Sequence, residues 1–177
     1  MGKATAAKSK GNQIVSSAHL ADGGAPALSE FEYGLIICGN AFARWIVRCM
    51  AAAGYADLNA LDVLVVHTVN HRARDKRLAD ICFVLNIEDS HLVSYALKKL
   101  VKARLVEAEK RGKETVYRTT GEGAEACARY RAVREPCLIE TVRALGNFDD
   151  AEIASVARFL RALSGLYDQA ARAATSL

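Results

Sequence analysis

Aromatic residues are scarce in this sequence: phenylalanine, tryptophan and tyrosine make up 7% of 177 residues, within an apolar share of 51% that is dominated by alanine. That balance favours helices, since alanine loses no side-chain entropy on entering one. An uninterrupted run of eighteen apolar residues is lacking, so no membrane span is expected. The opening MGKATAAKSKGNQ has lysines but no apolar stretch behind them, and does not read as a secretory signal. Cysteine pairs are missing too. Cys38, Cys49, Cys82, Cys127 and Cys137 form no CxxC, and an odd, scattered set argues against a disulfide framework or a zinc site. Each falls on an apolar helical face, where a small buried hydrophobe is the plain reading. His19, His67, His71 and His91 show no HExxH-type spacing, so neither a metal nor a general base is expected. No glycine-rich phosphate loop is present, because Gly23-Gly24 lies in an irregular arm. Acid pairs such as Asp149-Asp150 read as helix caps. An enzyme is not expected, and no cofactor.

The length suits one domain, or one domain with helical arms. The net charge is +4, and its placement matters more than its size. From Arg72 to Arg118 there are twelve Lys or Arg against seven Asp or Glu, a balance of +5, and the remainder has twelve against thirteen, a balance of −1. The basic excess therefore sits on one stretch, as binding to a phosphate polymer requires. Residues 1–27 mix Lys, Ala, Ser, Gly and Asn with little periodicity and read as a flexible basic arm.

The chain is organised around Leu78 to Thr120, LADICFVLNIEDSHLVSYALKKLVKARLVEAEKRGKETVYRTT. Leu78, Ile81, Cys82 and Leu85 recur at spacings of three and four, one face of a short helix. Asn86 to Asp89 breaks that face, and Asp89 or Glu88 caps a second helix. Its apolar face is Leu92, Val93, Ala96, Leu97, Leu100 and Val101. Its opposite face carries Ser90, His91, Ser94, Tyr95, Lys98, Lys99 and Lys102. After Leu105 the period changes to two, in two strands about the basic tip Arg111-Gly112-Lys113, where Gly112 supplies positive φ. The pattern is a helix-turn-helix followed by a β-wing.

Taken together, LADICFVLNI, EDSHLVSYALKKLVKARLV and TTGEGAE resemble the MarR family of winged-helix transcription regulators, over roughly residues 29–173. The wing departs from the family: KRGKE stands where an Asp-x-x-Asp-x-Arg run is frequent. Tyr95 follows Ser94 where the family often has arginine, which points to altered base preference. The resemblance implies a mainly α fold with a small wing: a winged helix over about 58–120 and dimerisation helices over about 29–53 and 121–173. It also implies a cytoplasmic, nucleoid-associated homodimer that binds double-stranded DNA.

Around that centre, Ser29-Glu30-Phe31-Glu32 reads as a capping box opening a helix to Ala53, with Leu35, Cys38, Phe42, Trp45 and Cys49 as its stripe. Asn59 and Asp62 open the next helix. Asp75 is the expected cap of the first helix of the helix-turn-helix, and a short strand is expected around Ala73-Arg74. Thr120 caps a helix running to Leu145 with a bend before Pro136, and Gly146-Asn147 ends it. Asp149 and Glu152 open the last helix, whose seam is Ile153, Val156, Leu160, Leu163, Tyr167 and Ala170.

On this reading Ser90, His91, Ser94 and Tyr95 reach base edges or phosphates in the major groove. Lys98 and Lys99 hold phosphates, and Lys110, Arg111 and Lys113 serve the minor groove or its flanks. The resemblance also suggests a cleft for a small aromatic effector, lined by Arg44, Trp45, His67 and His71, and a redox alternative through Cys38 or Cys49. A winged-helix dimer serving protein assembly, without a specific DNA site, is the reading from a different class.

Overall fold

The computed structural model describes residues 25–146 and 149–177. The basic arm expected over 1–27 thus lies almost wholly outside the described residues. The chain divides into two compact units, Met1–Cys127 and Ala128–Leu177.

In the first unit, helix α1 spans Pro26–Ala52. Proline suits the first turn, where its missing N–H costs nothing. The helix therefore starts three residues ahead of Ser29, and the expected capping box falls inside it. Only Ile46, Cys49 and Met50 near its C-terminal end are buried. Leu35, Ile36, Ile37 and Phe42 are exposed. By length and composition α1 is apolar enough to cross a membrane. The lack of an unbroken apolar run points the other way; Arg44 and Arg48 dilute the stripe without cancelling it. Gly54, at φ 104°, turns the chain out of α1.

Helix α2 spans Ala60–Asn70. Its first turn is closed by a reciprocal pair: the Asp62 N–H donates to Asn59 Oδ1 and the Asn59 N–H donates to Asp62 Oδ2, both at 2.9 Å. Val63, Val65, Val66 and Val69 are buried. A 3₁₀ turn, His71–Ala73, follows, with Arg72 at φ 62°. The ammonium of Lys76 fills the end of α2, donating to the carbonyls of Val69 (2.9 Å), His71 (2.5 Å) and Arg74 (3.2 Å). These satisfy oxygens a helix terminus leaves open. Burial, with Arg74 adding to it, pushes the Lys76 pKa below the usual lysine range.

Strand β1 is Lys76–Arg77, three residues beyond the expected position, and helix α3 is Leu78–Leu85. The cap also differs from expectation. The Arg77 N–H donates to Asp80 Oδ2 at 3.0 Å, while Asp75 turns to the wing. Asn86, at φ 52°, ends α3 in the left-handed region that a short polar side chain tolerates. Helix α4, Ser90–Lys102, is capped by Asp89, which accepts from the His91 N–H at 2.9 Å. Strands β2, Val106–Arg111, and β3, Glu114–Thr119, pair antiparallel with Arg111 opposite Glu114, and Gly112 turns the tip at φ 63°. The sheet order is β1-β3-β2. Ile81, Val93, Ala96, Leu97, Leu100, Leu105 and Val106 form a continuous buried core with the valines of α2. Each large aliphatic among them contributes about 1.5–3 kcal/mol by leaving water.

Helix α5 spans Gly121–Arg134. Thr120 begins it as expected: its hydroxyl accepts from the Gly123 N–H at 3.0 Å and donates to the Arg104 carbonyl at 2.6 Å. In the second unit the expected bend at Pro136 takes the form of a π-helical turn, Glu135–Ile139, leading into α6, Glu140–Leu145. Proline lacks an N–H and clashes with the carbonyl four residues back, and one wider turn relieves both. Gly146 closes α6 at φ 62°; Asn147 lies outside the described residues. Asp149 caps α7, Asp150–Ala174, accepting from the Ala151 N–H at 3.2 Å. Of the α7 seam only Leu163 is buried; Ile153, Val156 and Leu160 stand exposed, as do Phe159 and Leu166 outside the seam.

Candidate nucleic-acid interface

The outward side of α4 is the side opposite Val93, Ala96, Leu97 and Leu100. His91, Tyr95, Lys98 and Lys102 lie along it, all exposed, with Ser90 exposed and Ser94 half-buried beside them. Tyr95, at 72% exposure, is the large ring on this line. The helix thus offers imidazole, hydroxyl and phenol first and ammonium groups later, the order in which a helix entering a groove N-terminus first meets base edges and then phosphates.

Three expectations on this helix change. Leu92 and Val101 fit the core face by spacing, yet both are exposed, Leu92 at 53%. They flank the buried stripe, where apolarity in sequence does not distinguish core from edge. Leu92 and Tyr95, three apart on the helix, are both exposed. Lys99, expected on phosphates, faces inward: its Nζ lies 2.6 Å from Asp62 Oδ2.

On the wing, Lys110 and Lys113 are exposed as expected. Arg111 is exposed too but engaged, 2.6 Å from Asp75 Oδ2 and 2.9 Å from Glu109 Oε1. Its hydrogen bond holds the Glu109 carboxyl below the usual carboxylate range. Arg118 joins the same cluster through Asp75, Glu107 and Glu109. Arg77 bridges α3 and β3, 3.1 Å from Asp80 and 3.5 Å from Glu114. Asp80 is held below its ordinary pKa chiefly by hydrogen bonds from Arg77. Between α3, the start of α4 and the wing lies a cleft of about 540 Å³ lined by Arg77, Leu78, Ala79, Cys82, Ser90, Glu114 and Thr115. Sequence does not single out Arg77 and Arg118 as site neighbours; their charge is legible there, their direction is not. Phe83 is 87% exposed on α3, and nothing in the structure explains it.

The four effector candidates are not gathered into one cavity among the described residues. Arg44 lines a shallow hollow of about 340 Å³ with Ala43, Val47, Arg48 and Ala60. Trp45 and His67 are half-buried, and His71 is exposed in the 3₁₀ turn. Of the redox candidates, Cys38 is exposed and Cys49 is buried, so Cys49 lacks the access a sensing thiol needs. Cys38 and Cys137 are both exposed rather than packed, against the expectation of a buried small hydrophobe. No group of three or more His, Cys, Asp or Glu among the described residues is placed to hold a metal ion.

A family model for a winged helix DNA-binding domain matches residues 58–123. Comparison with curated protein sequences yields no match. Among solved structures, the chain is similar to AbfR of Staphylococcus epidermidis (TM-score 0.64, 16% identity, 86% of this chain and 94% of that one). It is similar to NMB1585, a MarR family regulator from Neisseria meningitidis (TM-score 0.60, 18% identity, 81% and 94%). It is also similar to a cysteine-to-serine mutant of MarR from E. coli complexed with operator DNA (TM-score 0.55, 17% identity, 73% and 93%). The wing, the capped α4 and these likenesses agree: residues 58–123 match the winged helix DNA-binding domain model and have its fold, set in a chain with the fold of the MarR-family regulators.

Proposed function

We propose that this protein is a sequence-specific, double-stranded DNA-binding transcription regulator, a repressor, acting as a cytoplasmic, nucleoid-associated homodimer on a near-palindromic operator. The observation that carries this reading is the outward line of α4, where His91, Tyr95 and Lys98 stand exposed on a capped helix beside a wing bearing Lys110 and Lys113. Ser90 and Ser94 supply further hydroxyl contacts, Arg111 contributes once drawn from its acids, and Lys98 positions without specifying. The exposed apolar stripes of α1 and α7 support pairing with a second copy, since faces that large are otherwise a liability in water. The same need explains the apolarity of α1 without a membrane. A two-fold dimer sets two recognition helices about one DNA turn, roughly 34 Å, apart. A small aromatic effector that binds the form with the wrong helix spacing lowers DNA affinity by linkage; Arg44, Trp45, His67 and His71 lie on the elements assigned to it.

The test is fluorescence anisotropy with the DNA immediately upstream of the protein's own gene, against a scrambled duplex in about 150 mM salt, where screening exposes weak non-specific binding. A preference of about a thousandfold is expected. Equal, weak binding to this duplex and to every other tested favours the assembly reading instead.

A further inference from the structure

Lys99 belongs to the recognition helix but not to its outward line. Its ammonium lies 2.6 Å from Asp62 Oδ2 and 2.6 Å from the backbone carbonyl of Asp57. Asp62 is fully buried. The same Oδ2 also accepts the Asn59 N–H at 2.9 Å, so it closes the first turn of α2 while it holds Lys99. A carboxylate removed from water is costly unless a cation meets it. Here the cation reaches in from another helix, with a side chain still one-third exposed at 32%.

The buried side chains of α4 are apolar. Val93, Ala96, Leu97 and Leu100 pack without direction and leave the helix some freedom to slide or rotate by small amounts. A charge-assisted bond to a carboxylate, reinforced by a carbonyl, is short and directional and removes that freedom. Asp57 precedes α2 in the connection from α1, so the bond ties the recognition helix to the corner where those helices meet. Any displacement of that corner moves Lys99 and, with it, the neighbouring line of His91, Tyr95 and Lys98, Tyr95 being one turn before it on the helix.

We propose that Lys99 is a positioning residue: through the Asp62 carboxylate and the Asp57 carbonyl it fixes the register of the recognition helix, and base discrimination depends on that tie. The inference rests on the DNA-binding reading above. It replaces the phosphate role that charge alone assigns to Lys99.

The experiment uses the full chain. A preferred duplex is first selected from a random-sequence pool with the unaltered protein, and a random duplex serves as control. Affinities for both are measured across salt concentration. Lys99→Met is expected to weaken binding to the selected duplex about tenfold, within the range for residues that couple sites without touching ligand. Binding to the random duplex and the slope of log affinity against log salt should stay unchanged, because no phosphate contact is removed. Lys99→Arg should restore discrimination.

A slope shallower by about one, with equal losses on both duplexes, makes Lys99 a phosphate contact and overturns the proposal. Unaltered discrimination in a folded Lys99→Met also overturns it. If that variant does not fold, the double variant Asp62→Asn/Lys99→Met removes both charges while the new amide still accepts from Asn59. It is expected to fold and to lose discrimination; wild-type discrimination in it refutes the tie. Failure of the unaltered protein to select any sequence overturns the regulator reading and the tie with it. A selected sequence read equally well by the variants overturns the tie alone.

Discussion

Gly123 lies under the carbonyl of Leu105, so close that a Cβ on it would stand 2.0 Å from that oxygen and 2.7 Å from Thr119 Cγ2. The close approach seats the first turn of α5 on the end of α4, where the Thr120 N–H also donates to the Leu105 carbonyl at 3.2 Å. The obstacle is backbone rather than a flexible side-chain end, so it cannot move aside cheaply. Gly123→Ala is therefore expected to cost at least about 1–3 kcal/mol, the range for overpacking a filled site. Urea denaturation checks this; an unchanged midpoint would show that the helix start shifts freely.

Lys98 is one residue from Lys99 and opposite in role. It lies exposed on the outward line. Lys98→Ala is expected to weaken binding to selected and random duplexes alike and to flatten the salt slope by about one. Titrations at several salt concentrations distinguish it from Lys99→Met, which should change discrimination and leave the slope. Unchanged affinity and slope would remove Lys98 from the interface.

On the proposed reading, Asp75 is expected to compete with DNA for Arg111 on the wing. Its carboxylate is 2.6 Å from Arg111 and 3.4 Å from Arg118, and a phosphate must displace it to engage Arg111. Asp75→Asn keeps the shape and removes the competing charge. Non-specific affinity is expected to rise, by about two- to five-fold at most, as for an exposed pair. A loss of affinity would mean that Asp75 serves to hold the wing in place rather than to mask it.

The Arg77–Asp80 pair makes a pH prediction. Hydrogen bonds from Arg77 depress the Asp80 pKa in the folded state. A depressed carboxylate contributes stability that is fully present above its unfolded pKa and is lost as pH falls through the folded value. The window is thus below about pH 4, where an ordinary aspartate titrates. Both side chains are more than one-third exposed, so solvent screening keeps the contribution small. Asp80→Asn should slightly flatten the acid limb of a stability-versus-pH curve. An identical acid limb would show that the pair is not formed in solution.

Much of the domain is legible in the sequence because its signals are local. Asn59 with Asp62, Asp89, Thr120 and Gly112 each announce a cap or turn by residue type, and the structure places each where its chemistry predicts. Sequence misleads where partners are distant along the chain. Asp75 has the right type and position for a cap, but Arg111 and Arg118, far along the chain, claim it. Lys99 looks like every other lysine on α4 until Asp62 is seen beneath it. Leu92 reads as core because period alone does not say where a buried stripe ends. The strand at Lys76–Arg77 is too short to carry a pattern, and it exists because β3 pairs with it.

The cysteines test both the burial pattern and the proposed dimer. Cys49 is 1% exposed and Cys127 5%, so neither thiol reaches solvent without opening of the fold. Both are expected to resist iodoacetamide in the native protein and to react in urea, read by mass spectrometry of labelled peptides. Cys38 is exposed in the single chain but lies on the α1 helix assigned here to pairing. Its labelling rate should therefore fall as protein concentration rises and dimers fill. A Cys38 labelling rate that is high and independent of concentration would take this part of α1 out of the dimer interface. Rapid labelling of Cys49 in the native protein would show instead that the C-terminal end of α1 opens readily from its core.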